Sequence, residues 1–236
     1  MASGGSEKRS EKTNACTQSA SRPKLSKRLS VSVVHTHSPR NTCRSPPLQA
    51  PTPLEGGFIK KAWLERYRTL PANPKLIVQG WDTAMKADEL YDPSGCQTFY
   101  VTDRSYYVAD YYSEWLEYPD LKRAVISQAA KWKPHAILIE DKGSGESLIQ
   151  DLSRKTQLPV IPCLPESDKI TRLAAQAAKV EAGLLFLPEN AQWVVDYEVE
   201  LVNFPNAPHD EVPDTLSQFL KWVGDREGGQ YRIRRL

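Results

Sequence analysis

The chain has 236 residues, of which 40% are hydrophobic and 25% are charged, and this is enough material for one folded domain with additional segments. No stretch approaches the roughly eighteen consecutive apolar residues of a membrane span, and no signal-peptide core is present at the N-terminus. The four cysteines are widely scattered without a CxxC pair, which argues against a disulfide framework or a zinc site. The sequence therefore predicts a soluble, intracellular protein.

Charge is distributed unevenly along the chain. Residues 1–50 contain nine Lys or Arg and two Asp or Glu, whereas the remaining residues contain 22 basic and 27 acidic side chains. Residues 1–56 are also rich in Ser and Pro and have no apolar periodicity, so we expect them to be disordered. Residues 225–236 are predicted to form a second basic tail.

The first predicted elements are a short amphipathic helix and three strands. The helix is predicted within GGFIKKAWLERY (56–67), and KLIVQGWD (75–82) has the apolar, turn-bounded pattern of a buried strand. The aromatic and β-branched stretches CQTFYVTD (96–103) and SYYVADYYSEWL (105–116) predict a hairpin. We expect this hairpin to extend the sheet antiparallel to the first strand.

The second part of the chain alternates helices with short strands. Helical periodicity is found at 118–133, 145–156, 168–183, 191–204 and 210 to about 224, and strands are predicted at 135–141, 158–163 and 184–187. Antiparallel strands followed by this alternation predict an α/β fold, with a mixed sheet and helices on both faces.

Two of the predicted buried strands end in a carboxylate. Asp82 ends the first strand and lies on the same side as Val78 and Gly80, because side chains alternate along a strand. Glu140 ends the strand at 135–141. A carboxylate at the end of an apolar strand is costly unless it reaches solvent or a cation.

A third group of acids occurs in APHDEVPDTLSQFLKW (207–222), where Asp210, Glu211 and Asp214 precede or begin a predicted helix. These acids could form a solvated face, since the helix dipole favours acids in the first turn. Together with Asp82 and Glu140, however, they favour a divalent-cation site, because Mg²⁺ prefers hard oxygen ligands. Two such ions about 3.5–4 Å apart are the arrangement used for phosphodiester displacement.

The order of these elements resembles that of the RNase H-like nucleases, and in particular the C-terminal nuclease domain of tailed-phage terminase large subunits. The matching stretches run collinearly from about residue 57 to residue 223: QGWDTA (79–84), ILIEDKGSG (137–145), SDKITRLAAQAAKVEAGLLFLPENAQW (167–193) and ELVNFPNAPHDEVPDTLSQ (200–218). The resemblance implies an RNase H-like domain at 57–224. Its first three strands would be antiparallel and its later strands parallel, with helices on both faces.

The resemblance also implies a set of metal ligands and catalytic residues. Asp82 corresponds to the first ligand, Glu140 to the second, and an acid of the 210–214 cluster to the third. Asp210 and Asp214 are four residues apart and can face one site on a helix. We therefore expect Asp82, Glu140, Asp210 and Asp214 to bind two Mg²⁺ or Mn²⁺ ions.

The chain departs from the family pattern within this cluster. The family usually shows HDD-x-x-DAL, whereas this chain has Glu211 in place of the second Asp and Thr215 in place of the Ala. Pro213 also lies within the cluster and is compatible only with the first turn of a helix. The longer side chain of Glu211 raises the question of reduced metal affinity.

The function implied by the resemblance is metal-dependent cleavage of double-stranded, concatemeric DNA during phage genome packaging. No GxxxxGK[ST] motif is present, so we expect a nuclease domain without its ATPase motor, monomeric in isolation and located in the cytoplasm of a bacterial host. A terminase small subunit, a separate motor chain or a portal would be its partners, and no membrane is implied. Basic residues that could contact DNA phosphates are Lys60, Lys61, Lys142, Lys169 and Arg172.

Two other functions remain open at the level of sequence. One is a resolvase-like or transposase-like nuclease of the same fold. The other is a catalytically silent prophage remnant or DNA-binding module, which metal binding would distinguish from an enzyme. A hydrolase built on Ser144, His209 and Asp210 is disfavoured, because KGSGE at 142–146 lacks the GxSxG pattern of a nucleophile elbow.

Overall fold

The computed structural model describes residues 57–84 and 92–227, so the predictions for residues 1–56 and 228–236 lie outside the described residues. The strands are β1 (Glu65–Tyr67), β2 (Leu76–Asp82), β3 (Ser94–Val101), β4 (Tyr106–Glu114), β5 (Ala136–Glu140), β6 (Val160–Cys163) and β7 (Leu185–Pro188). The helices are α1 (Tyr118–Trp132), α2 (Ser144–Lys155), α3 (Lys169–Glu181), α4 (Val194–Asn203) and α5 (Glu211–Glu227). None of the helices in this part of the chain is long and apolar enough to cross a membrane.

The strands of the described region form one mixed sheet in the order β1-β7-β4-β3-β2-β5-β6. The first pairings along the sequence, β2 with β3 and β3 with β4, are antiparallel. The later strands β5, β6 and β7 join by parallel pairing, as does β1. This arrangement confirms the predicted RNase H-like mixed sheet.

Alternation along the central strands creates a core on each face of the sheet. Trp81 of β2 and Ile139 of β5 belong to a buried cluster with α1 and α2 on one face. Val78 of β2 and Leu138 of β5 belong to a larger cluster with α3, α4 and α5 on the opposite face. The prediction of helices on both faces is therefore confirmed.

The helix predicted within residues 56–67 is wrong. Lys61–Trp63 form only a single 3₁₀ turn, and β1 follows it directly. Residues Glu65 to Tyr67 pair in parallel with Phe186 to Pro188 of β7, at the edge of the sheet. Backbone pairing with a distant strand thus overrides the local helical pattern, because extended residues gain a hydrogen-bonding partner at that edge.

The C-terminal helix α5 continues beyond the predicted end near residue 224 and ends at Glu227, so residues 225–227 are helical. Val223 is buried, which anchors this last part of the helix to the sheet. An i,i+4 ion pair between Lys221 and Asp225, at 3.5 Å, lies on its outer side.

Candidate active site

Two neighbouring strands deliver carboxylates to the same edge of the sheet. β2 and β5 are parallel, and Trp81 is in register with Ile139. Asp82 and Glu140 are the next residues and end their strands. The carboxyl ends of parallel strands meet at one edge, so the sequence pattern correctly located both residues on adjacent strands.

Polar side chains of the sheet and of α4 fix the first turn of α5. The backbone N–H of Val212 donates to Oε1 of Glu200 at 2.6 Å, which caps the start of the helix. Gln97 of β3 donates to the carbonyl of Val212 at 2.8 Å and accepts from the hydroxyl of Tyr197 at 2.8 Å. Gln97 also donates to Thr215, so the departure from the family pattern at this position supplies a buried hydrogen bond.

Close backbone approach at two glycines brings the site elements together. A Cβ on Gly95 of β3 would lie 2.7 Å from the Cβ of Glu211. A Cβ on Gly145 of α2 would lie 2.0 Å from the backbone oxygen of Glu140. Glycine at these positions therefore lets α5 and the β5–α2 turn lie against the strand ends. The KGSG stretch is a turn of this kind, and its Ser144 hydroxyl donates to the carbonyl of Thr83 at 2.9 Å.

Three of the four predicted ligands come together at this edge. Carboxylate oxygens of Asp82, Asp210 and Asp214 all lie within 4.8 Å of one another. The side chain of Asp214 is 3% exposed, whereas that of Asp210 is 28% exposed. The alternative of a solvated acidic face on α5 is therefore wrong for Asp214, which α3 covers.

Two basic residues of α3 lie among these carboxylates. Lys169 Nζ is 2.6 Å from Oδ1 of Asp210 and 2.6 Å from Oδ2 of Asp214. Arg172 Nη2 is 2.7 Å from Oδ1 of Asp214. Sequence analysis named Lys169 and Arg172 as phosphate contacts and missed their pairing with the acids, because helical spacing on α3 does not reveal which element faces it.

Glu140 is not one of the three carboxylates that lie within 4.8 Å of one another. It is connected to that group through Arg172, whose Nη2 is 3.6 Å from Oε2 of Glu140. The structure thus places Glu140 beside the cluster, with a guanidinium between its carboxylate and that of Asp214.

Burial and mutual repulsion change the proton affinity of the cluster. Burial, together with the carboxylates of Asp214, Glu140 and Asp210, raises the pKa of Asp82 to about 7, and Lys169 opposes the increase. Burial works against the charged form of Lys169, but Asp214 and Asp210 outweigh it and the pKa of Lys169 is raised. Negative charge at Asp82 is therefore only partly compensated by Lys169, and a divalent cation would stabilise the ionised form.

Glu211 faces a different set of residues. Its carboxylate lies with Asp92 and His209, and ligand atoms of these three residues are within 4.8 Å of one another. His209 Nδ1 is 3.2 Å from Oδ1 of Asp92, and Ser144 is bonded to Thr83. A hydrolase triad of Ser144, His209 and Asp210 is therefore not supported.

The order of strands, the helices on both faces and the acids at the strand ends together define an RNase H-like nuclease fold. A family model described as the terminase RNase H-like domain matches residues 79–220. The chain belongs to this family, and no curated protein matches it in sequence.

Solved structures of terminases share the fold. The large terminase nuclease from thermophilic phage G20c with bound magnesium superposes with a TM-score of 0.55 at 14% identity, covering 72% of this chain and 98% of that one. The cobalt-bound form of the G20c nuclease gives a TM-score of 0.56 at 13% identity, with the same coverage of 72% and 98%. The large terminase from another thermophilic bacteriophage gives a TM-score of 0.52 at 12% identity over 70% of this chain. The chain spans less than half of that large terminase, 43% of its length.

Proposed function

We propose that this protein is a two-metal-ion endodeoxyribonuclease that hydrolyses phosphodiester bonds of double-stranded DNA. The observation that carries the proposal is the convergence of Asp82, Asp210 and Asp214 within 4.8 Å at the carboxyl edge of the sheet. This donor set fits Mg²⁺ or Mn²⁺, which bind carboxylate oxygens and keep water in their remaining positions. Nuclease domains of the same fold from phage G20c were solved with bound magnesium and cobalt, which supports a metal at this edge.

Asp82 is the proposed bridging ligand, because it lies on β2 between β5, which carries Glu140, and α5, which packs against β2. Asp210 and Asp214 would complete one side of the site and Glu140 the other. When bound, two divalent ions would supply an activated water and stabilise the leaving 3′ oxygen.

The basic residues would hold the acids and the substrate in position. Arg172 is the rigid element, since its side chain is 14% exposed and contacts both Asp214 and Glu140. Lys169 is more accessible, with 44% of its side chain exposed, so it can turn from Asp210 towards a DNA phosphate. Lys142, exposed on the turn after β5, is a further candidate for phosphate contact.

Membership of the terminase family suggests a role in cutting concatemeric DNA during genome packaging. In that role the protein would act with a terminase small subunit, an ATPase motor and a portal. The fold contains no additional groove-reading module among its described elements, so we expect binding through phosphates with weak sequence preference.

A second candidate function is a catalytically silent DNA-binding module. It is favoured by the ion pairs of Lys169 with Asp210 and Asp214, because these already neutralise the acids without a metal ion. In that case the cluster would stabilise the packing of α3 on α5 and would have no catalytic role.

Cleavage of supercoiled plasmid by the full chain distinguishes the two candidates. We expect nicking with Mn²⁺ or Mg²⁺, none with EDTA, and none by Asp82→Asn. The matched control is Asp196→Asn, which removes an exposed carboxylate of α4 and should leave nicking unchanged. A folded protein that retards DNA in a gel but does not nick it with either metal would contradict the nuclease and support the silent module.

A further inference from the structure

A second group of potential ligands lies beside the candidate active site. Asp92 precedes β3, His209 precedes α5, and Glu211 is the first residue of α5. Their ligand atoms lie within 4.8 Å of one another, and His209 Nδ1 is 3.2 Å from Oδ1 of Asp92. The start of β3 and the start of α5 therefore converge on one point.

Glu211 is the member of this group that most needs a partner. The residue is 1% exposed, and neither of its carboxylate oxygens has a hydrogen-bond partner. A buried, ionised carboxylate without a hydrogen bond costs several kcal/mol, on the order of the effective desolvation penalty of an ion in a protein. Either a proton or a cation must therefore satisfy Glu211.

The charges near Glu211 differ from those near Asp82. Lys169 and Arg172 pair with the carboxylates of the candidate active site. Around Glu211 the nearby groups include the further acids Glu200 and Asp92. Among the ion pairs of residues 57–84 and 92–227, none joins Glu200 or Glu211 to a lysine or arginine, and Asp92 is paired with His209. Positive charge is thus deficient at this point.

We propose that Asp92, His209 and Glu211 form a second cation site, which binds Zn²⁺ or a similar first-row transition-metal ion in preference to Mg²⁺. An imidazole nitrogen with two carboxylates is a donor set that suits Zn²⁺, whereas Mg²⁺ is bound mainly through oxygen. Neighbouring ligands of one ion at bond lengths of about 2.1 Å lie about 3.0–3.4 Å apart. The observed separation of 3.2 Å between His209 and Asp92 falls in that range.

The surroundings of the site allow entry and fix the imidazole. The side chains of His209 and Asp92 are 42% and 56% exposed, so an ion can reach them from solvent. The ring of Trp115 meets the His209 ring edge-on with centroids 6.3 Å apart, which restricts the orientation of the imidazole. A bound ion would fasten the start of α5 to the start of β3, independently of whether the protein cleaves DNA.

The test uses the full chain carrying Asp82→Asn, which weakens metal binding at the active site, and measures Zn²⁺ binding by calorimetry in a large excess of Mg²⁺. Adding His209→Gln or Glu211→Gln should weaken Zn²⁺ binding at least tenfold. His35 and His37 are the matched control, because they lie in the N-terminal segment and could bind Zn²⁺ themselves. His35→Gln/His37→Gln should leave the proposed site intact.

Co²⁺ provides an independent readout of the ligands. The visible absorption of the Co²⁺ complex should change in His209→Gln, because an imidazole nitrogen is lost from the coordination shell. Glu211→Gln is nearly isosteric and should fold, which the melting temperature without metal would verify. Unchanged Zn²⁺ affinity in folded Glu211→Gln and His209→Gln proteins would overturn the proposal and show that Glu211 is satisfied by a proton. The outcome does not depend on nuclease activity.

Discussion

The ammonium nitrogen of Lys169 lies 2.6 Å from Oδ2 of Asp214, a buried carboxylate in the candidate active site. This contact shows that α3 supplies a positive charge where the nuclease proposal requires a metal ion. Lys169 also contacts Asp210 at 2.6 Å, so its ammonium lies among the carboxylates that would bind the metal. Metal binding and the ion pairs of Lys169 should therefore compete.

Replacement of Lys169 should strengthen metal binding. In Lys169→Gln the carboxylates lose a neighbouring positive charge, and we expect Mn²⁺ to bind about tenfold more tightly, or by about 1.4 kcal/mol. The measurement is Mn²⁺ titration followed by electron paramagnetic resonance. Lys131→Gln is the control, because Lys131 pairs with Asp110 away from the cluster and should not alter the affinity. Equal or weaker Mn²⁺ binding in Lys169→Gln would contradict the competition.

Replacement of Asp214 should destabilise the metal-free protein. The Asp214 side chain is 3% exposed, and its removal leaves the largely buried Arg172 guanidinium without its closest partner. Breaking a buried pair from one side costs about 3–5 kcal/mol, so Asp214→Ala should lower the free energy of unfolding by that amount. Urea denaturation in EDTA measures this change. Asp210→Ala, at a more exposed position, should cost about 1 kcal/mol or less, and equal losses in the two variants would argue against the prediction.

The metal-free protein should become less stable as pH rises. Burial raises the pKa of Asp82 to about 7 and that of Glu211 to about 9, and burial also raises the pKa of Glu200 to about 7. Each folded pKa exceeds its unfolded value, so the stabilising contribution is present below about pH 4 and is lost as pH rises through the folded pKa values. The urea midpoint in EDTA should therefore fall between about pH 5.5 and pH 8.5.

Two variants test the origin of this dependence. Asp82→Asn and Glu211→Gln each remove one titrating group, and each should make the decrease with pH shallower. A urea midpoint that rises over the same interval in the parent protein would show that these carboxyl groups do not have raised pKa values.

Substitution of Gly145 should disturb the turn that follows Glu140. A Cβ at this position would lie 2.0 Å from the backbone oxygen of Glu140, so the strand end must move. Gly145→Ala should cost about 1–3 kcal/mol of stability, as overpacking does. Gly224→Ala is the control: its Cβ would meet Nζ of Lys179, the end of a flexible side chain, and alanine favours a helix. A thermal melt showing no difference between the two variants would exclude the proposed clash.

The fold could be predicted largely from local patterns. Asp82 and Glu140 each follow a short apolar strand, and this pattern located both at the edge where parallel strands end. The edge strand β1 could not be predicted, because its partner β7 lies more than a hundred residues away and the local pattern is helical. Long-range pairing of this kind leaves little trace in a window of sequence.

Parts of the site could not be predicted because they depend on packing between distant elements. The apolar face of α5 was correct, but its polar face is covered by α3, which buries Asp214 and pairs it with Lys169. The anchoring role of Gln97 is also invisible in sequence, because its partners Tyr197 and Thr215 come from two other elements. Burial of a polar residue is decided by what packs over it.

The most direct test of the central proposal is a crystal soaked in Mn²⁺ and measured for anomalous scattering. The nuclease proposal predicts an anomalous peak bonded to Asp82 and at least one of Asp210 and Asp214, with the Lys169 ammonium displaced from the cluster. A well-ordered crystal with no peak there, and with Lys169 still between Asp210 and Asp214, would contradict the metal-dependent nuclease.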